Sequence, residues 1–179
     1  GVPNGAVTAD NWEAWSWGNG WANTEIAGWG SPGGTYHTAV GAAGGGGGGH
    51  FQVVPAAGGL EYQLTVDSGA DTWWLPTGTM IMFFQDFLGN ELGQVSRNTV
   101  DPAVYGEDQY DIPHPWETYV LTGIAPAGTA QIKVELTANN ATGSVGFDNA
   151  DLVVIPEPAS VAILGLGAVL LMAVRRKRS

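Results

Sequence analysis

Two adjacent tryptophans, Trp73 and Trp74, are the side chains of this chain best suited to holding a ligand. Sugars present apolar C–H faces that stack on aromatic rings, and an indole offers a large area at little entropic cost. Neighbouring residues of a strand point to opposite faces, so we expect one of the two rings to be an exposed platform. Asp71 and Gln85 are candidates for hydrogen bonds to the same sugar. The alternative is that these rings, like other large aromatics, fill the core or cover strand ends.

Side chains that carry out acid–base or nucleophilic catalysis form no recognisable pattern. His37, His50 and His114 are widely spaced and make no H-x-x-x-H metal motif. A glycosidase needs two carboxylates at a set separation, but a chain with 17 acids contains some such pair in any case. There is no cysteine and no G-x-S-x-G nucleophile elbow. The sequence therefore predicts a non-catalytic protein.

The end of the chain has the composition of a membrane anchor. Pro156, Glu157 and Pro158 precede an uncharged apolar run, residues 159–174, and the basic residues Arg175, Arg176, Lys177 and Arg178 follow it. As a helix the run would span about 24 Å, slightly less than a bilayer core of about 30 Å. A buried helix of a soluble domain is the alternative, but such a helix would not be uniformly apolar and end in successive cations. The positive-inside rule places these cations in the cytoplasm and the preceding chain across the membrane.

This order of features resembles the PEP-CTERM sorting signal of Gram-negative bacteria that make extracellular polysaccharide. The resemblance covers residues 155–179. It implies recognition by exosortase, a membrane enzyme, with cleavage near the proline-flanked glutamate and release or transfer of the protein to the cell surface or matrix. Prolines lack a backbone donor and keep their neighbours extended, which suits an accessible processing site. Export also requires a leader, which we expect to precede Gly1.

The charge of the preceding residues argues against some partners. Residues 1–155 contain two basic residues and sixteen acids, a formal charge of −14. Such a surface repels nucleic acid and anionic lipid headgroups, and it suits neutral sugars, cations or simple solubility.

The elements that must position these residues are strands. Apolar and polar residues alternate over 60–66 and 131–136, and shorter segments of this kind are 50–54 and 117–121. Residues 80–84 are apolar on both faces and predict a central strand, while the change of phase within 144–155 predicts a bulge near Asp148 and Asn149. Seven to nine strands predict an all-β, two-sheet antiparallel sandwich over residues 1–155, followed by a single transmembrane helix within the sorting signal, 156–179. The six glycines 44–49 predict a flexible connector, and 98–115 a long loop.

The sandwich segment resembles the jelly-roll carbohydrate-binding modules of polysaccharide-degrading enzymes over residues 12–155. The resemblance is carried by Phe84-Gln85-Asp86-Phe87-Leu88-Gly89, Ala125-Pro126-Ala127-Gly128-Thr129-Ala130 and Gly146-Phe147-Asp148-Asn149-Ala150-Asp151-Leu152. It implies a structural calcium ion held by Asp148, with backbone carbonyls and acids such as Glu13 completing its six to eight oxygen ligands. The alternative is an aspartate that stabilises the bulge through its own backbone contacts.

Two functions remain open at this point. The first is an exported module that binds polysaccharide through exposed aromatic rings. The second is a structural or adhesive protein of the biofilm matrix with no specific glycan. A contiguous aromatic strip on one sheet would favour the first, and scattered or buried rings the second.

Overall fold

The computed structural model describes residues 11–32, 34–70, 77–100, 114–139 and 143–156. All regular structure in these ranges is antiparallel β-sheet. The eight strands of these ranges are β1 (Glu13–Ser31), β2 (Gly34–Pro55), β3 (Glu61–Ala70), β4 (Thr77–Gln85), β5 (Glu91–Asn98), β6 (His114–Ile124), β7 (Gln131–Asn139) and β8 (Gly143–Ile155).

The strands form two sheets that share the long strand β2, and the all-β sandwich is confirmed. Sheet I has the order β5-β4-β7-β2, in which residues 47–55 of β2 pair with β7. Sheet II has the order β2-β8-β3-β6, in which residues 38–42 of β2 pair with β8. Strand β1 pairs with the other edge of β2 in both sheets. The β1–β2 hairpin therefore carries the chain from one layer of the sandwich to the other.

The glycine run lies inside β2, so the prediction of a flexible connector is wrong. At the bend between the sheets, Gly46 approaches β1 so closely that a Cβ would lie 2.5 Å from the Gly20 nitrogen and 2.7 Å from the Trp17 oxygen. Gly45 and Gly18 have φ angles of 88° and 60°, which L side chains rarely adopt. Glycine is required here because the backbones of β1 and β2 are in direct contact. The run is a closely packed bend, the glycine hinge, between the two layers.

The core lies between the inner faces of the two sheets. Sheet I contributes alternate residues of β4 and β7, and sheet II contributes alternate residues of β3, β6 and β8, as their period-two patterns predict. The largest buried side chains are Phe84, Phe147, Leu64, Met80, Met82 and Ile132. Strand β4 does lie inside its sheet, between β5 and β7. Its outer residues Ile81 and Phe83 are only half-buried, so its second face is not covered as predicted.

The phase change in β8 is a bulge, as predicted. Thr65 is opposite Asp151 and Asp67 is opposite Asp148, so β8 has one more residue than β3 between these pairs. Asn149 supplies it, with a φ of 49°. Asparagine tolerates this left-handed conformation better than most residues.

Two strands were missed from the sequence, β1 and β5. Residues 101–113, the centre of the predicted long loop, lie outside the described residues, and so do residues 157–179, which hold the predicted transmembrane helix. No helix in the described ranges is long and apolar enough to cross a membrane.

Candidate functional site

The outer face of sheet I carries a strip of aromatic and aliphatic side chains, which we call the aromatic strip. Its members are Trp15, Trp17, Phe51, Ile81 and Phe83. Residues directly opposite each other in a ladder share a face, so the pairings of Ile81 with Glu135 and of Glu135 with Phe51 place these side chains in one row. The row crosses four strands, from β4 to Glu13 on β1, which is about 14 Å at about 4.8 Å per strand.

Lys133 lies at the end of the strip formed by Phe83 and Phe51. Its Nζ lies 4.2 Å from the ring centroid of Phe83 and 5.6 Å from that of Phe51, within the range of cation–π attraction. The same Nζ is 2.8 Å from Oε2 of Glu135, which is buried. One ammonium group thus fixes two rings and one carboxylate, and it leaves this part of the strip formally neutral.

Glycines form the floor beneath the two tryptophans. Trp15 is opposite Gly49 and Trp17 is opposite Gly47. A Cβ on Gly49 would lie 2.8 Å from Nε1 of Trp15, so only a glycine leaves room for the indole at that height. Trp15 is half-buried, whereas Trp17 is 50% exposed and is the most accessible ring of the strip.

Polar side chains border the strip on β4, β5 and β7. Gln94 is opposite Phe83, and Ser96 is opposite Ile81. Gln85, predicted to bind a sugar, ends β4 on this face, and its Oε1 accepts a hydrogen bond of 3.2 Å from Nε2 of Gln131. The other predicted glycan residues, Asp71, Trp73 and Trp74, lie outside the described residues and stay predictions.

Sequence reasoning missed the aromatic strip because its members come from three separate strands, β1, β2 and β4. A signal was present in Trp15-Ser16-Trp17, whose alternation places two indoles on one face. The glycine run that pairs with this segment was predicted to be a connector. The two indoles could therefore not be assigned to a sheet face packed on glycine.

Asp148 lies on sheet II, on the opposite side of the sandwich. Its Oδ1 accepts a hydrogen bond of 2.8 Å from the Asn149 amide, the backbone contact expected of a bulge-stabilising aspartate. Asn149 Nδ2 donates to Oδ2 of the facing Asp67 at 2.8 Å, and Thr118 Oγ1 donates to the other oxygen of Asp67. These bonds hold the bulge from both strands.

The calcium prediction at Asp148 stays untested. Glu13 pairs with Phe51 in sheet I, so the structure does not bring it to Asp148. No group of three or more His, Asp or Glu side chains in the described part of the chain is arranged to hold a metal ion. A calcium ion at Asp148 would therefore need backbone oxygens or residues beyond the described ranges.

His37 and Trp116 lie beside this bulge. The ring centroids are 5.4 Å apart in an edge-to-face arrangement, and His37 is buried. Burial lowers the pKa of His37 below its ordinary value, and the Asp148 carboxylate partly opposes this shift. His37 is therefore held as a neutral ring at physiological pH.

The C-terminal segment matches a family model described as the PEP-CTERM protein-sorting motif, over residues 154–178. The chain carries a PEP-CTERM sorting signal. This confirms the resemblance seen in the sequence, and it indicates an exported protein that is sorted to the cell surface. It also implies processing by an exosortase. No curated protein matches the chain in sequence.

Solved structures share the fold of the sandwich. The enzymatically active domain of bacteriophage CBA120 tailspike protein 4 matches with a TM-score of 0.62 and 13% identity, covering 82% of this chain and 20% of that one. The CBM22-1 and GH10 modules of a Clostridium thermocellum endo-1,4-beta-D-xylanase, complexed with xylohexaose, match with a TM-score of 0.55 and 15% identity, covering 83% and 27%. A CBM4 structure matches with a TM-score of 0.53 and 15% identity, covering 84% and 93%.

The likeness is one of architecture. This chain spans about a fifth to a quarter of the first two structures, and almost the whole of the third. At these identities the comparison shows the fold, a two-sheet antiparallel sandwich like that of carbohydrate-binding modules.

Proposed function

We propose that this protein is a non-catalytic, surface-sorted module that binds polysaccharide on the outer face of sheet I. The observation that carries the proposal is the aromatic strip, in which rings from β1, β2 and β4 share one face and polar side chains border them. Partly exposed rings with a polar rim suit sugars, since the C–H faces stack while the hydroxyl groups find hydrogen-bond partners.

The rigidity of the strip supports the same function. Lys133 holds Phe51 and Phe83, and the glycine floor seats Trp15, so these rings lose little freedom on binding. Trp17, the most exposed ring, is the best candidate for the first stacking contact.

Two similar structures support the ligand class. The Clostridium thermocellum modules were solved with xylohexaose, and a structure named TmCBM61, with a TM-score of 0.51 and 14% identity, was solved with beta-1,4-galactotriose. Both ligands are neutral oligosaccharides. A neutral glycan also suits a domain whose formal charge over residues 1–155 is −14.

The test is binding of the full chain, in a sugar-free detergent, to a panel of immobilised neutral polysaccharides. We expect Trp17→Ala to weaken binding about tenfold, because a lost stacking ring is worth about 1–2 kcal/mol. Ile124→Ala, which truncates an even more exposed apolar residue on sheet II, is the control and should bind normally. Trp73→Ala and Trp74→Ala test the platform predicted from the sequence. Equal binding by Trp17→Ala and the parent chain would remove the aromatic strip from the proposal.

A structural or adhesive matrix protein is the second candidate. It is favoured by exposed apolar side chains on sheet II, where Val120, Ile124 and Val153 are 39%, 68% and 42% exposed. Absence of binding to every glycan, with matrix association retained, would establish this function in place of the first.

The sorting part of the proposal concerns residues 156–179. We expect residues 159–174 to cross the inner membrane until an exosortase cuts near Pro156, Glu157 and Pro158, with Arg175–Arg178 in the cytoplasm. Replacing the three motif residues with alanine should leave the uncut chain in the membrane fraction. Immunoblotting of the membrane fraction and the medium measures release. Unchanged release would contradict processing at this motif.

A further inference from the structure

We propose that one end of the sandwich rests on the lipid surface from which the sorting segment emerges, with Phe87 and Leu88 immersed in the membrane interface. The inference rests on insertion of residues 159–174, the sorting part of the proposed function, and it is independent of glycan binding. It assigns a partner to a surface that the aromatic strip does not use.

Three loops meet at this end, residues 56–60, 86–90 and 125–130, and we call it the exit end. Backbone hydrogen bonds join them: Ala130 N donates to Gln85 O at 2.8 Å, and Gly59 N donates to Ala125 O at 2.8 Å. Strand β8 also ends here, because Ile155 is opposite Glu61 and Glu61 is opposite Ile124. The two sheets, their loops and the start of the sorting segment therefore share one end of the molecule.

Chain length keeps this end close to the membrane. Only four residue steps separate Ile155, the last residue of β8, from Ala159, where the apolar run begins. Even fully extended, four residues reach no more than about 14 Å. Once the run is inserted, the exit end must lie within about that distance of the bilayer surface.

The exit end presents its apolar residues on a firmly built turn. Phe87 and Leu88 are 79% and 71% exposed, the highest values among the described large apolar residues. Asp86 Oδ1 accepts hydrogen bonds from Leu88 N at 2.8 Å and Asn90 N at 2.9 Å, and Asp86 Oδ2 accepts one from Asn90 Nδ2 at 2.9 Å. Gly89 completes the turn with a φ of 85°. Because the turn is already ordered by these bonds, placing the two side chains in the lipid would require no further loss of backbone conformational entropy.

The apolar side chains of Phe87 and Leu88 protrude from the exit end. Leu60, Leu92 and Ile124 lie at the same end of the sandwich and are 37%, 40% and 68% exposed. Protruding side chains can enter a soft lipid interface to a depth of about 5–10 Å. The acids Glu61 and Glu91 lie beside them and would meet anionic headgroups unfavourably. The surface therefore fits zwitterionic lipid better than anionic lipid.

The test uses single spin labels on the full chain reconstituted into phosphatidylethanolamine-rich vesicles. The chain has no cysteine, so Leu88→Cys and Asn98→Cys each carry one label. Asn98 is exposed at the far end of β5, seven residues or about 23 Å from Glu91, and is the matched control. We expect the ratio of oxygen to nickel-chelate collisions to be several-fold higher at position 88 than at position 98. Added phosphatidylglycerol should reduce this difference.

A second comparison keeps the label at one position and changes only the apolar tip, so that the label itself cannot cause the difference. With the label at Ile124→Cys, Phe87→Ser combined with Leu88→Ser should lower the oxygen to nickel ratio, because the end lifts from the lipid. Equal ratios at positions 88 and 98 in vesicles that retain the chain through carbonate extraction would overturn this inference alone. Release of the chain by carbonate would overturn the insertion of residues 159–174 and this inference together. Immersion seen only when exosortase is co-reconstituted would replace the lipid by that enzyme as partner.

Discussion

At the scale of single residues, Lys133 combines an ion pair with two ring contacts. Its ammonium group pairs with Glu135 at 2.8 Å and lies over two rings of the aromatic strip. Glu135 is buried, so its carboxylate depends on this partner. Removing one member of such a pair leaves a charge without compensation in a poorly solvated place.

We therefore expect Lys133→Met to lower the free energy of unfolding by about 1–2 kcal/mol, less than for a fully buried pair because the lysine is partly exposed. Urea unfolding measures this loss. The double variant Lys133→Met with Glu135→Gln is the matched control and should recover most of the stability, since no orphaned charge remains. A double variant as unstable as the single one would show that packing of the lysine stem is the main contribution.

His37 makes stability depend on pH. Burial lowers the pKa of the folded-state imidazole, whereas in the unfolded chain it returns to about 6.5. The unfolded chain therefore binds the proton first, and the free energy of unfolding should fall as pH drops through 6.5 towards the folded pKa. Above that range His37 contributes no slope.

Urea unfolding between about pH 5 and pH 7.5 tests this dependence. His37→Gln should flatten the part of the pH profile due to this group. Identical slopes for the two proteins would assign the pH dependence to other residues.

At the scale of elements, the hinge of glycines in β2 decides how the two layers join. Gly46 has backbone atoms of β1 within 2.7 Å of where a Cβ would be. Backbone cannot move aside as the end of a side chain can, so a methyl group must push the hairpin apart.

We expect Gly46→Ala to cost about 2–3 kcal/mol of stability. Gly93→Ala on β5 is the matched control, because its Cβ would meet only Pro126 Cγ at 3.4 Å, an ordinary contact. Thermal unfolding of both variants measures the difference. Equal melting temperatures would mean that the hairpin adjusts freely at this hinge.

Arg97 joins β5 and β6, which are the edge strands of sheets I and II. Its Nη1 donates to the Val120 carbonyl at 2.7 Å, and its guanidinium lies 5.3 Å from the centroid of Tyr119. A free strand edge invites pairing with another molecule, and a charged side chain across it discourages such pairing.

We expect Arg97→Ala to increase self-association at high protein concentration. Sedimentation velocity measures this effect, and Arg97→Lys is the control that keeps the charge but loses the planar fork. A monomeric Arg97→Ala protein would show that other features protect these edges.

At the scale of the whole molecule, charge should select among glycans. With a formal charge of −14 over residues 1–155, the domain repels polyanions at long range, and salt weakens that repulsion. We expect neutral polysaccharides to bind equally at low and moderate salt, whereas polygalacturonate should bind weakly and improve with added salt. Affinity electrophoresis in gels containing each polymer tests this. Tighter binding of polygalacturonate at low salt would contradict the charge argument.

The sequence predicted those features that depend on local pattern. Alternation in β3 and β7 was visible because each strand has one buried face, and the bulge at Asn149 was visible as a change of phase. The glycine hinge and the aromatic strip were not visible, because both depend on which strands become neighbours. The sequence around Gly46 indicates flexibility, and its close packing arises only when β2 pairs with β1. Phe51 and Phe83 share a face only because β7 pairs with both of their strands.

The end of β8 has a consequence for the product of processing. The sorting motif begins at residue 154, while Val154 and Ile155 are still paired with Tyr62 and Glu61 of β3. A carboxypeptidase added to the cut chain would need several residues of extended, unpaired backbone to act on. Trimming should therefore stall where the ladder begins, and the mature protein should have a narrow mass distribution whose lower limit is set by Ile155.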